Sequence, residues 1–149
     1  MAGVVSLNKV VVDTDILIGH VLGTTNPRPS ILRLLTRRYF CYTTVFNAVE
    51  AFGLCRTDAE RKAVEGSMNA LKILGVNAKS GKNIGRLRAS AKKGTDLHLL
   101  VAGVCMESRL PLVTGRKKCY KGFSGLSVVS PRVALSGTGM EQIPDSRRP

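Results

Sequence analysis

At 149 residues, with 44% hydrophobic side chains, the chain is long enough for one domain with a proper core, because folding at this size buries roughly 70% of the surface an extended chain exposes. Twenty-three Lys and Arg against ten Asp and Glu leave a formal net charge of +13, which makes a polyanion the natural partner. The four cysteines lie far apart without a CxxC pair, no window nears the roughly 18 apolar residues of a membrane span, and no secretory leader is legible. These features exclude a disulfide scaffold, a zinc knuckle and a membrane protein, and predict reduced thiols in a cytoplasmic location.

Val10 to Val12 reads as a buried first strand and Ile16 to Leu22 as a short helix. Pro27 and Pro29 break the chain before a basic amphipathic segment, Ser30 to Arg38, with Ile31, Leu34 and Leu35 on one side. Tyr39 to Tyr42 predicts a second strand, and "TVFNAVEAFGL" a helix capped by Thr43 or Thr44. Thr57 to Glu60 is a capping box opening a helix that runs to about Leu74. A strand at Val76 to Ala78 and a basic helix from about Lys82 to Lys93 follow. Gly94 and Thr95 then introduce "DLHLLVAGVCMESRL", a helix apolar nearly all round and therefore buried. "LPLVTG" and "LSVVSP" read as two further strands. Beyond Pro131 the composition turns to Gly, Ser, Pro and Arg, which predicts a flexible tail over 132–149. Strands alternating with helices predict an α/β domain over 1–131 with a central parallel sheet.

Between Glu65 and Asp96 there is no acid, but there are Lys72, Lys79, Lys82, Arg86, Arg88, Lys92 and Lys93. The plain reading is a solvated basic helix face; the functional one is a nucleic-acid surface. A membrane surface fits less well, because no Trp or Phe stands ready to insert. Four of the scarce acids have no evident structural purpose: Asp13 and Asp15 at the end of the first strand, Glu50 in the middle of a helix, and Asp96 opening the buried helix. In open α/β sheets, ligands bind outside the carboxyl ends of strands. Carboxylates gathered there repel one another unless a cation intervenes, and an all-oxygen ligand set selects a hard ion, Mg²⁺ or Mn²⁺. The ordinary alternatives are a helix-dipole charge for Asp96 and Asp15, and arginine pairs for Asp13 and Glu50.

The order "VVVDTDILI", "TTVFNAVEAFG", "GTDLHLLVAGVCMESRLPLVTG", "YKGFSGLSVVSP" resembles the PIN-domain ribonucleases, and among them the VapC-type toxins of toxin–antitoxin pairs. The resemblance covers about Val10 to Pro131. It implies a three-layer α/β/α sandwich around a parallel sheet and a metal-dependent endoribonuclease that leaves a 5′-phosphate. It also implies a homodimer and a small protein antitoxin. Position by position, Asp13, Glu50 and Asp96 match the metal-binding acids, Asp15 stands where relatives often carry Asn or Ser, and Thr114 matches the hydroxyl residue of the last active-site strand. Two positions after Thr114, where the family usually has Asp or Asn, stands Arg116. An arginine cannot ligate Mg²⁺. Either Asp15 compensates, or Arg116 grips the RNA backbone, with Lys117, Arg86, Arg88, Lys92 and Lys93 extending that grip, or the enzyme is weakened.

Two rivals share the opening motif. A phosphatase of the haloacid-dehalogenase type would use Asp13 as nucleophile, Asp15 as acid, Thr114 for phosphate and Lys117 as cation, leaving Glu50 without a role. A basic RNA-binding module would keep the fold and lose cleavage through Arg116. His98 reads as a satisfied helix histidine, and His20 as a surface residue near the mouth of the site.

Overall fold

The computed structural model of the protein describes residues 8–23, 28–90 and 95–136. Five short strands, β1 (Lys9–Val12), β2 (Phe40–Thr44), β3 (Lys72–Leu74), β4 (Leu112–Val113) and β5 (Val128–Val129), form one sheet in the order β3-β2-β1-β4-β5, with every neighbouring pair parallel. Around it lie α1 (Thr14–Leu22), α2 (Ile31–Thr36), α3 (Val45–Leu54), α4 (Asp58–Asn69), α5 (Ala78–Ser90), α6 (Asp96–Ser108) and α7 (Pro131–Leu135).

Alternate strand residues face opposite sides of a sheet, and the core divides on that rule. Val10, Val12, Val113 and Val129 pack with Ile16 and Leu17 of α1, Leu32 and Leu35 of α2, and Ala134 of α7. Val11 and Leu112 turn the other way, onto Ile84 of α5, Leu99, Val101 and Cys105 of α6, and Tyr120 and Phe123. With both faces covered, the central strand reads as an unbroken apolar run and not as an alternating one. A smaller cluster, Val21, Ala51 and Val64, ties α1 to α3 and α4. Helices α5 and α6 meet so closely that a Cβ on Gly103 would stand 2.5 Å from Ile84 Cγ1.

The predicted α/β fold and central parallel sheet are present, with several boundaries shifted. Helix α1 begins at Thr14, because Asp13 caps it. Helix α4 stops at Asn69 and not near Leu74, and the third strand is Lys72–Leu74 instead of Val76 to Ala78. Met68, Leu71 and Leu74 keep a helical spacing across that junction, so periodicity alone does not reveal where the helix gives way to pairing with β2. Helix α5 starts at Ala78, four residues before the expected Lys82, behind reciprocal bonds between Asn77 and Ser80. The domain also continues past Pro131. The Ser130 hydroxyl caps α7, Ala134 is buried, and Arg38 donates to the Leu135 and Ser136 carbonyls. Of the expected tail 132–149, residues up to Ser136 are therefore folded, and 137–149 lie outside the described residues.

Among the described residues no helix is long and apolar enough to cross a membrane. Cys41, Cys55, Cys105 and Cys119 are free. Burial pushes the Cys41 thiol up to about 11 and Cys105 higher still, which keeps both as thiols and unsuited to metal ligation.

Candidate functional site

The strand order reverses at β1, whose chain continuation goes to β2 on one side while β4 pairs on the other. A crevice at such a switch point, beyond the carboxyl ends of the strands, is where open α/β sheets bind ligands. Asp13 follows β1 there and Thr114 follows β4. The Asp13 N–H still bonds Val113 O at 3.0 Å, while its side chain, in extended backbone geometry, already caps α1.

Asp13 is 0% exposed, and its carboxylate accepts from five donors. Oδ1 takes Thr14 N–H at 2.8 Å, Asn47 Nδ2 at 2.9 Å and the Tyr120 hydroxyl at 3.1 Å; Oδ2 takes the Thr114 hydroxyl at 2.8 Å and Arg116 Nη2 at 3.2 Å. A buried carboxylate persists only with such compensation.

Two of the side-chain donors, Asn47 and Tyr120, do not stand out in the sequence. Asn47 sits at the third position of α3, in a capping box with Thr44: its Oδ1 accepts from the Thr44 N–H and hydroxyl, and its Nδ2 donates to Asp13 and Thr14. The signal for it is the spacing Thr44-x-x-Asn47, a capping box with Asn in place of the usual Glu or Gln. Tyr120 closes a 3₁₀ turn, Lys117–Tyr120, that no periodicity announces. Burial and the Asp13 charge push its phenol above the ordinary range, so the hydroxyl stays protonated and donates.

Asp15 lies in the first turn of α1, half-buried. Its Oδ2 accepts the Gly115 N–H at 2.8 Å, and its Oδ1 lies 3.5 Å from the Thr114 hydroxyl. A Cβ on Gly115 would stand 2.8 Å from that Oδ2, so a larger residue there would push the Asp15 carboxylate aside. Burial raises the Asp15 carboxyl above its usual range and the Asp13 charge adds to this, against the opposing pull of Gly115 N–H and Arg116. An added positive charge at this place would relieve the repulsion.

Arg116 supplies a cation of its own. Its Nη2 stands 3.2 Å from Asp13 Oδ2 and 3.2 Å from Glu50 Oε1, so two carboxylates from different elements share one guanidinium nitrogen. Burial works against the charge on Arg116, but Asp13 and Glu50 outweigh it and hold the proton more tightly than in solution. The Arg116 N–H is fixed on the Thr114 hydroxyl at 2.9 Å, while its Nε is buried with no hydrogen-bond partner. The plain alternative of an arginine pair for Asp13 and Glu50 is thus what the structure contains.

Asp96 is placed otherwise. Although it opens α6 as expected, with Thr95 as cap, its side chain is 75% exposed and paired with Arg88. Among the described residues no group of three or more His, Cys, Asp or Glu draws close enough to hold a metal. The two acids that do converge, Asp13 and Glu50, present carboxylate oxygens to one point already held by positive charge. In chemistry they fit a hard divalent ion.

Lys117 and the neighbouring Lys118 are exposed on the turn beside the site, and Arg86 and Arg88 are exposed on α5. Lys92 and Lys93 lie outside the described residues. The His98 ring bonds the Thr95 hydroxyl at 2.9 Å and stands edge-on to Tyr120, a satisfied helix histidine as expected. His20 bonds Ser30 at 2.6 Å and lines a groove with Leu32, Arg33 and Ser67 at the far end of α1, away from the mouth of the site where it was expected.

No family model and no curated protein matches the chain. Its fold is that of chains in several toxin–antitoxin structures. One, from VapBC2 of Rickettsia felis bound to a DNA fragment from its promoter, has a TM-score of 0.69 at 18% identity, with 82% of this chain and 98% of that chain covered. DNA-bound VapBC from Salmonella typhimurium gives 0.67 at 19% identity, covering 84% and 98%. VapBC-1 from nontypeable Haemophilus influenzae gives 0.64 at 18% identity, covering 83% and 98%.

Proposed function

We propose that the chain is a metal-dependent endoribonuclease of the PIN type, the toxin of a VapBC-like toxin–antitoxin pair. The observation that carries this reading is the shared point of positive charge between Asp13 and Glu50 at the switch point of the sheet. Its setting, a fold common to VapBC structures, supports the same reading.

Mg²⁺ or Mn²⁺, when bound, supplies a lowered pKa for nearby water and positive charge toward a phosphodiester under attack. Asp13 and Glu50 are the residues that would hold the ion. Asn47, Tyr120 and the Thr14 N–H fix Oδ1, so Asp13 presents Oδ2 in one orientation. The Thr114 hydroxyl aligns Oδ2 and so positions the acid. Lys117, Lys118, Arg86 and Arg88 lead the RNA backbone toward the acids. Asp96 contributes once its carboxylate leaves Arg88. A protein antitoxin and a second copy of the chain are the partners this reading implies.

The test is incubation with structured RNA and Mg²⁺ or Mn²⁺. Cleavage that leaves 5′-phosphate ends, stops with EDTA and falls at least about a hundredfold in Asp13→Asn is expected. RNA binding without metal-dependent cleavage would sink the nuclease and leave the basic RNA-binding module.

A further inference from the structure

A cation already sits between the two carboxylates that the proposed nuclease needs for its metal, and it is covalently part of the chain. We propose that Arg116 and a divalent cation compete for Asp13 and Glu50, and that a nucleic-acid phosphate decides the competition by drawing the guanidinium out. The inference rests on the metal-dependent reading above and adds a specificity-determining role to the residue that departs from the family pattern.

Four features of the site support the exchange. Arg116 Nη2 is 3.2 Å from both Asp13 Oδ2 and Glu50 Oε1, so a divalent ion held by these two acids would contend with the guanidinium for them, and their like charges oppose sharing. The Arg116 side chain is 34% exposed, which leaves it a way out toward solvent. Its backbone is held by the Thr114 hydroxyl, so the side chain can swing while the turn stays put. Without Arg116, Asp13 keeps its four other donors, and the acid remains oriented for an incoming ion.

The phosphate enters through what Arg116 lacks in its resting place. Its Nε is buried with no acceptor, whereas a phosphodiester offers two oxygens that match the guanidinium fork. Lys117 and Lys118 are exposed next to it and attract the same backbone. Binding of the phosphate then vacates the carboxylates for the metal. By reciprocity, metal binding strengthens the hold on the nucleic acid by the same factor. The metal site is completed only when RNA is present, which confines hydrolytic chemistry to a loaded enzyme.

The experiment measures Mn²⁺ binding from the EPR signal of free Mn²⁺, for the wild type and Arg116→Gln. Each is measured alone and with a phosphorothioate oligoribonucleotide that resists cleavage. Tighter Mn²⁺ binding by Arg116→Gln than by wild type, about tenfold or more, is expected, since a charge-assisted pair no longer has to be broken. The oligonucleotide should raise Mn²⁺ affinity strongly in the wild type and much less in Arg116→Gln. Methylguanidinium added to Arg116→Gln should weaken Mn²⁺ binding by refilling the place. Equal Mn²⁺ affinity in the two proteins would overturn the exchange while leaving the metal-dependent nuclease standing. No Mn²⁺ binding by either protein, with or without oligonucleotide, would overturn both. If Arg116→Gln does not fold, the wild type decides alone: an oligonucleotide that leaves its Mn²⁺ affinity unchanged overturns the exchange.

Discussion

Asp13 is held from three directions by residues far apart in sequence: Asn47 from α3, Thr114 after β4 and Tyr120 from the 3₁₀ turn. Their contributions are unequal. Asn47 uses both amide protons and both lone pairs, so Asn47→Ala strips a cap, a charged acceptor's partner and a buried threonine's partner together. A loss of about 3 kcal/mol in urea-unfolding stability is expected. Tyr120→Phe removes one donor from an acid that retains four, and should cost about 1 to 2 kcal/mol by the same measurement. Equal costs would mean that the Asn47 network is not worth more than a single bond. Asp13, Asp15 and Glu50 are legible in the sequence because a charge among apolar neighbours is conspicuous. Asn47 and Tyr120 are not, because a neutral polar residue inside an element has ordinary uses, and only the tertiary fold aims it at an acid. The resting place of Arg116 is hidden for the same reason: it depends on how the chain turns after Thr114.

At the level of elements, capping residues are the most legible signals. Thr44, Thr57 and Thr95, each read as a helix start, accept an amide of the helix that follows, and Ser30, read as part of its segment, does so too. Helix ends are harder to read. Arg109 closes α6 in the left-handed region at φ 57°, a conformation that favours glycine, and the residue is exposed. Arg109→Gly should therefore stabilise the protein by about 1 kcal/mol, seen as a higher urea midpoint at unchanged slope. A lower midpoint would show that the arginine side chain makes a contribution larger than the strain it imposes. The displacement of β3 has a different cause. A strand of three residues carries too little pattern to compete with a neighbouring helix whose apolar spacing it continues.

Across the whole molecule the net charge of +13 is the dominant fact, and much of it lies on α5, where Lys79, Lys82, Arg86 and Arg88 are exposed. If six of the basic side chains neutralise phosphates, RNA affinity should fall about a thousandfold between roughly 50 and 200 mM salt. Reversing Lys82 and Arg86 to Glu should lower the slope of log affinity against log salt by about two. A slope unchanged by the double reversal would move the RNA to another face. The order of pairing along the chain has a further consequence. The innermost strand, β1, is made first but acquires its β4 neighbour only through residues about a hundred positions later, and the Thr114–Asp13 bond spans 101. Contacts so distant in sequence form late and slowly, after the loop between them has been closed. A nascent chain lacking β4 and the turn to Tyr120 carries the acids without their supports. The arrangement of the acids is therefore completed only after the last strands of the sheet have been made.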